Sequence, residues 1–139
     1  MQNNSSQLSI KNQTEEILVI ADWLEKNFDQ HNLNVENLHK FDLCANEAVT
    51  NIIAYAYNND GKEHEIKLTF INNSSDITLE IKDKGKPFNP LKKTSSTRPE
   101  NVENARIGGL GIDLIRHYMD TCSYERLNDT NIFTVSLNK

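Results

Sequence analysis

The spacing of hydrophobic residues changes several times along this chain of 139 residues, and the order of those changes limits the possible folds. After a short, weakly alternating segment come two segments with apolar residues at helical intervals, and two segments that alternate apolar and polar residues follow. One more helix and two more strands close the chain. Because helices and strands come in blocks, the pattern predicts an α+β fold, a two-layer sandwich with a mostly antiparallel sheet and three main helices on one face. The second predicted helix is capped by Asn34 or Asn32. The predicted elements cover about residues 7–11, 14–28, 34–57, 65–71, 76–82, 112–119, 122–126 and 132–137.

Length and composition narrow the class of protein. A chain of this size suits a single domain, here predicted as residues 1–139. The formal net charge of -5 argues against direct nucleic-acid binding, because no basic stripe is present to neutralise phosphates. Cys44 and Cys122 lack zinc-site spacing and are predicted to be reduced. With no signal pattern and no apolar run of about 18 residues, we expect a cytoplasmic protein without a membrane span.

A long segment rich in Gly, Pro, Lys, Ser, Thr and Asn interrupts the regular patterns after residue 83. Structureless loops of this length are uncommon in compact domains and are often lids over a site. We therefore predict a lid loop at about residues 84–108.

The most suggestive helical motif is EAVTN at residues 47–51. Residues four apart share a helical face, so Glu47 and Asn51 project together. A carboxylate can accept a proton, and an amide oxygen is a hard ligand that suits Mg²⁺. The same spacing is also typical of a solvated helix edge, so the pair needs support from other motifs.

Asp83-Lys84-Gly85 follows directly on an alternating strand, which would hold a site residue rigidly. An ionised aspartate only accepts hydrogen bonds, so Asp83 can take the exocyclic amine of adenine. Gly85 would let the base approach the backbone closely. A simple turn is the alternative, since Asp and Gly are turn formers. Phe88 would add an apolar wall.

The third motif, RIGGLG at residues 106–111, precedes a predicted helix. Glycines before a helix expose N–H groups, and the positive end of the helix favours a phosphate. A hinge or tight turn is the alternative. A P-loop is absent because no Gly-Lys pair is followed by Ser or Thr, and the run follows a polar loop instead of the strand that a dinucleotide fold requires.

The order and spacing of the three motifs resemble the GHKL ATPase superfamily, which has the Bergerat-type fold. EAVTN, DKGKPFNP and RIGGLGI look like the motifs of anti-sigma factor serine/threonine kinases within it, and the similarity runs from about Leu8 to the end. The resemblance implies that Glu47 is the catalytic carboxylate, that Asn51 binds Mg²⁺, and that Asp83 reads adenine. Tyr55 stands where this family often has a histidine. The nucleotide-binding residues implied are Asn51, Asp83, Gly85, Phe88, Arg106, Gly108, Gly109, Leu110, Gly111, Ile112 and Thr134.

The resemblance also implies a function. Such a protein uses ATP and Mg²⁺ to phosphorylate a serine of a STAS-domain anti-anti-sigma protein, and it sequesters a sigma factor when its antagonist is phosphorylated. It implies a homodimer as well. The alternative is an ATP-binding module that acts by sequestration without phosphoryl transfer, although such a module has no need of the carboxylate of Glu47.

Overall fold

The computed structural model describes residues 4–57, 61–92 and 109–139. Three α-helices and five strands make up this part of the chain. The helices are α1 (Ile17–Gln30), α2 (Val35–Asn51) and α3 (Gly109–Tyr118). The strands are β1 (Ser5–Lys11), β2 (Glu65–Asn72), β3 (Asp76–Asp83), β4 (Thr121–Leu127) and β5 (Thr130–Asn138).

The strands form one antiparallel sheet in the order β1-β2-β3-β5-β4. The pairing of β3 with β5 determines the site described below, because it sets Asp83 directly opposite Asn131 at the end of the sheet. The other end of the same ladder pairs Asp76 with Asn138.

The core lies between the sheet and the helices. Strand residues alternate between buried and exposed positions, and only the buried face carries the helices. Burying one face of an antiparallel sheet under helices removes its apolar side chains from water and leaves the polar face wet. The fully buried side chains with the largest volumes come from both layers: Phe28, Phe41, Phe70, Ile20, Leu24, Ile66, Leu68, Ile77, Leu79, Ile81, Ile112 and Ile115. The predicted α+β fold class is confirmed.

Helix α2 begins as predicted and ends differently. The side chain of Asn34 caps it by accepting a hydrogen bond from the backbone N–H of Asn37 at 2.8 Å. The apolar stripe predicted a continuous helix to about residue 57, but the α-helix ends at Asn51 and the chain continues as a π-helix, Ile52–Ala56. In a π-helix the carbonyls of the last turn are displaced from the α-helical pattern. The carbonyl of Ala56 accepts instead from the N–H of Lys86 at 2.9 Å, which ties the end of this helix to the segment after β3.

The glycine run was predicted to precede the third helix. In the structure α3 already begins at Gly109, so Gly111 belongs to its first turn. Cys44 is buried and Cys122 half-buried, and both are free thiols, as predicted. Burial raises the pKa of the Cys44 thiol to about 12, so it stays protonated at neutral pH. None of the helices in the described ranges is long and apolar enough to cross a membrane.

Candidate functional site

The carboxyl group of Asp83 is the polar centre of the site. Asp83 continues the buried row of Ile77, Leu79 and Ile81 at the end of β3, so it faces the helices and is only 5% exposed. Its Oδ1 accepts two hydrogen bonds, from the N–H of Gly85 at 2.9 Å and from Nδ2 of Asn131 at 3.0 Å. Within the described part of the chain its Oδ2 accepts none. One carboxylate oxygen is therefore held and the other is free for a donor.

Burial raises the pKa of Asp83 above its ordinary value, while the hydrogen bonds from Asn131 and Gly85 and the charge of Arg126 lower it in part. The pKa of Asp83 is therefore higher in the folded state than in the unfolded chain. As the pH rises from the ordinary pKa through the raised one, Asp83 ionises and the fold loses stability. A donor that binds the ionised carboxylate offsets this cost.

The backbone after Asp83 is fixed by hydrogen bonds on every N–H group. Gly85 donates to Asp83, Lys84 donates to the hydroxyl of Tyr57 at 3.0 Å, and Lys86 donates to the carbonyl of Ala56. The carbonyl of Gly85 accepts from Nη1 of Arg126 at 2.7 Å. These hydrogen bonds leave no backbone N–H of residues 84–86 without a partner.

Gly85 is packed closely against the end of the π-helix. A Cβ at this position would lie 2.4 Å from the carbonyl oxygen of Ala56 and 2.6 Å from its Cβ. The space beside Gly85 is thus filled by the end of the π-helix, and it is this contact that a side chain would disrupt.

A pocket opens between α2, α3 and the end of the sheet. The enclosed cavity is small, about 20 Å³, and the space reaches about 420 Å³ only when the open mouth and the adjoining solvent are included. Its apolar walls and few polar groups are typical of sites for small organic ligands. The amide of Asn51 lies in this wall, is 8% exposed, and makes no hydrogen bond to any residue that the structure describes. The lining residues are Ala48, Asn51, Ile52, Ala56, Asp83, Phe88, Pro90, Ile115, Tyr124, Asn131 and Phe133.

Glu47 lies one helical turn before Asn51, is half-buried, and contacts the first turn of α3. A Cβ on Gly111 would lie 2.5 Å from Oε2 of Glu47, so the carboxylate occupies the space that the glycine leaves. Among the described residues this carboxylate has no hydrogen bond or ion pair. It is therefore a free acceptor beside the positive end of a helix.

The structure brings most of the predicted residues together. Asn51, Asp83 and Phe88 line the pocket, Gly85 adjoins it, and Glu47 contacts Gly111. The ring of Phe88 stacks on Tyr55 with centroids 6.0 Å apart. Ile112 is 1% exposed in the hydrophobic core and does not line the pocket. Gly109 and Leu110 begin α3, while Arg106 and Gly108 and most of the predicted lid lie outside the described residues.

Thr134 is not brought to the site. It lies three residues after Asn131 on β5, and an odd separation places its side chain on the opposite face of the sheet, away from the helices. The residue beside Asp83 is Asn131, which the motif comparison missed. The alternation of Phe133, Val135 and Leu137 gave a usable signal, because it marks Asn131 as a polar residue at an inward position.

Comparison with known proteins identifies the family of this chain. Residues 10–137 match the family described as "Histidine kinase-like ATPase domain", which covers nearly every element of the fold. The chain belongs to this family. The family predicted from the sequence is therefore confirmed.

Several curated relatives of this ATPase family member carry kinase names. "Serine/threonine-protein kinase BtrW" of Bordetella bronchiseptica is 33% identical over 94 residues, covering 68% of this chain and 66% of the relative. "Serine-protein kinase RsbW" of Oceanobacillus iheyensis is 35% identical over 89 residues, covering 61% and 56%. "Serine-protein kinase RsbW" of Staphylococcus epidermidis is 30% identical over 97 residues, covering 67% and 61%. The matched part of the chain thus spans between 56% and 66% of these relatives.

Proposed function

We propose that this chain binds ATP with Mg²⁺ in the pocket between α2, α3 and the sheet. Adenine carries an exocyclic amine, and the free Oδ2 of Asp83 accepts such a donor while the apolar walls take the faces of the base. The amide oxygen of Asn51 suits Mg²⁺. No group of three or more His, Cys, Asp and Glu side chains that could hold a metal occurs among the residues with described positions. The cation would therefore share its coordination with phosphate oxygens and water, as Mg²⁺ commonly does.

We further propose that the chain is a serine/threonine protein kinase, with Glu47 as its catalytic residue. Bound ATP would supply the phosphoryl group, and Mg²⁺ would neutralise part of the negative charge on the phosphates. Glu47 orients the hydroxyl of the acceptor serine and accepts its proton, which a free carboxylate beside the pocket can do. The N-terminal end of α3 favours the negative charge of phosphates.

The acceptor and the regulatory role rest on the family resemblance and on the kinase names of the relatives. The acceptor is a serine of a STAS-domain anti-anti-sigma protein. The second partner is a sigma factor. The chain is a cytoplasmic homodimer that binds this sigma factor when the STAS-domain antagonist is phosphorylated. The net charge of -5 supports protein partners over nucleic acid.

One observation carries the proposal. Asn51 is more than nine-tenths buried, yet its amide is unpaired among the described residues and faces the same pocket as the free oxygen of Asp83. Both groups are available to a ligand that offers a hydrogen-bond donor to the carboxylate and a cation to the amide oxygen, which supports Mg·ATP as that ligand.

The direct test is to incubate the protein and its candidate STAS partner with Mg·ATP and to weigh the partner by mass spectrometry. We expect the partner to gain the mass of one phosphoryl group, and we expect no gain when EDTA removes Mg²⁺. No gain with a partner that demonstrably binds the chain would refute the kinase proposal. Calorimetric titration with Mg·ATP tests the nucleotide site separately.

Gly111→Ala is expected to leave the fold intact and to slow phosphoryl transfer. The new methyl group meets only the flexible tip of Glu47, and alanine favours a helix over glycine by up to about 1 kcal/mol. The melting temperature should therefore stay level or rise. Displacing the carboxylate by about 1 Å can cost up to about 100-fold in rate. Partner phosphorylation, ATP affinity and thermal melting together measure the effect.

The control for Gly111→Ala is the same change in a Glu47→Gln background. If Gly111 acts through Glu47, the second substitution adds little, because effects on one interaction are not additive. Equal additional slowing in both backgrounds would show that Gly111 acts independently of Glu47.

A further inference from the structure

Both polar atoms of the Asn131 side chain are hydrogen-bonded, Nδ2 to Asp83 and the segment after β3 and Oδ1 to β4. Its Nδ2 donates to Oδ1 of Asp83 at 3.0 Å and to the carbonyl of Lys86 at 2.9 Å, with a longer contact of 3.4 Å to the carbonyl of Gly85. Its Oδ1 accepts from the hydroxyl of Tyr124 at 2.5 Å. Asn131 is 4% exposed, so water has little access to these bonds.

We propose that Asn131 and Tyr124 are positioning residues that make the site select 6-amino purines over 6-oxo purines. The proposal rests on the proposed nucleotide function and adds the residues that determine which base is accepted. Neither residue belongs to the three motifs found in the sequence.

The orientation of the Asn131 amide is fixed by its neighbours. Reversing the amide would turn its oxygen toward the Asp83 carboxylate and the Lys86 carbonyl, which are both acceptors. An acceptor facing an acceptor leaves buried groups unpaired, at a cost comparable to that of a lost hydrogen bond. Tyr124 supports the observed orientation, because its hydroxyl donates to the amide oxygen from the neighbouring strand.

The fixed amide determines which oxygen of Asp83 a ligand meets. Oδ1 already accepts hydrogen bonds from Asn131 and from Gly85, so it is not available to a ligand. Oδ2 remains, and as part of an ionised carboxylate it can only accept. A 6-amino group donates to it, whereas a 6-oxo group presents a second acceptor and is rejected. Tyr124 also lines the pocket, so the pair lies at the place where the base would bind.

Arg126, also on β4, contacts the segment after β3. Its guanidinium donates to the Gly85 carbonyl, next to the Asn131 contacts, and its charge favours the ionised form of Asp83. This cation remains in any variant of Asn131 or Tyr124, so such variants change the hydrogen-bond pattern around Asp83 without removing its charged neighbour.

The test compares ATP with inosine triphosphate (ITP), which carries an oxygen in place of the 6-amino group and a hydrogen on N1. Affinities of both nucleotides, with Mg²⁺, are measured by calorimetry for the wild type, Tyr124→Phe and Asn131→Leu. Tyr118→Phe is the matched control, because Tyr118 lies on α3 outside the pocket. Thermal melting of each variant shows whether the fold is retained.

We expect the wild type and Tyr118→Phe to prefer ATP, and the ATP-to-ITP affinity ratio to fall about tenfold in Tyr124→Phe, which corresponds to the loss of one hydrogen bond. Asn131→Leu should lower the ATP-to-ITP affinity ratio further, provided that thermal melting shows this variant to be folded. A ratio equal to that of the wild type in Tyr124→Phe, even with both affinities reduced, would mean that the pair serves stability alone and would overturn the inference. A wild type that binds neither nucleotide would refute the proposed function itself.

Discussion

Glu47→Gln should bind Mg·ATP with the affinity of the wild type and transfer its phosphoryl group about 10²–10⁴ times more slowly. Glutamine has nearly the same size as glutamate, so it fits the space beside Gly111. Its neutral amide cannot accept the proton of the serine hydroxyl. Glu47 has no hydrogen bond or ion pair within the described ranges. Its replacement therefore leaves no buried group without a hydrogen-bond partner and should not disturb the fold.

The measurement is the initial rate of partner phosphorylation, together with a calorimetric ATP titration of the same preparation. Glu36→Gln is the matched control, since Glu36 is an exposed glutamate in the first turn of the same helix. The comparison also separates a kinase from a module that binds ATP and only sequesters proteins. In a module of that kind neither the wild type nor the variant would transfer phosphate.

Gly85→Ala is expected to destabilise the fold and to abolish tight ATP binding. Its methyl group would meet three atoms of Ala56 within 3 Å, two of them backbone atoms that cannot rotate away. Overpacking of this kind costs about 3 kcal/mol. The required shift also strains the bond from the Lys86 N–H to the Ala56 carbonyl, which holds the segment after Asp83. We expect a fall of about 10 °C in melting temperature.

Gly61→Ala is the control for Gly85→Ala. Gly61 has φ of +72° and nothing within 4 Å of a new Cβ, so alanine there costs only backbone strain of about 1–2 kcal/mol. Its ATP affinity should be that of the wild type. If Gly85→Ala has the same melting temperature and ATP affinity as Gly61→Ala, the close contact with Ala56 is not the reason that glycine is required at position 85.

The local parts of the site followed from the sequence because they depend on short-range periodicity. A helix places Glu47 and Asn51 on one face whatever surrounds it. The alternation of Ile77, Leu79 and Ile81 likewise places Asp83 on the buried face at the end of its strand. The same rule applied to β5 selects Asn131 as an inward residue and places Thr134 on the opposite face of the sheet.

The sequence alone therefore determined the α+β order of elements, the helix face with Glu47 and Asn51, and the inward aspartate. The tertiary structure decided which distant groups meet. Asp83 and Asn131 are 48 positions apart and become neighbours only through the β3–β5 register. The π-helix aims the Ala56 carbonyl at the position beside Gly85, and the packing of α3 on α2 sets Glu47 against Gly111. Hydrogen bonds and close contacts between separate elements depend on how those elements pack, and no local spacing in the sequence records that.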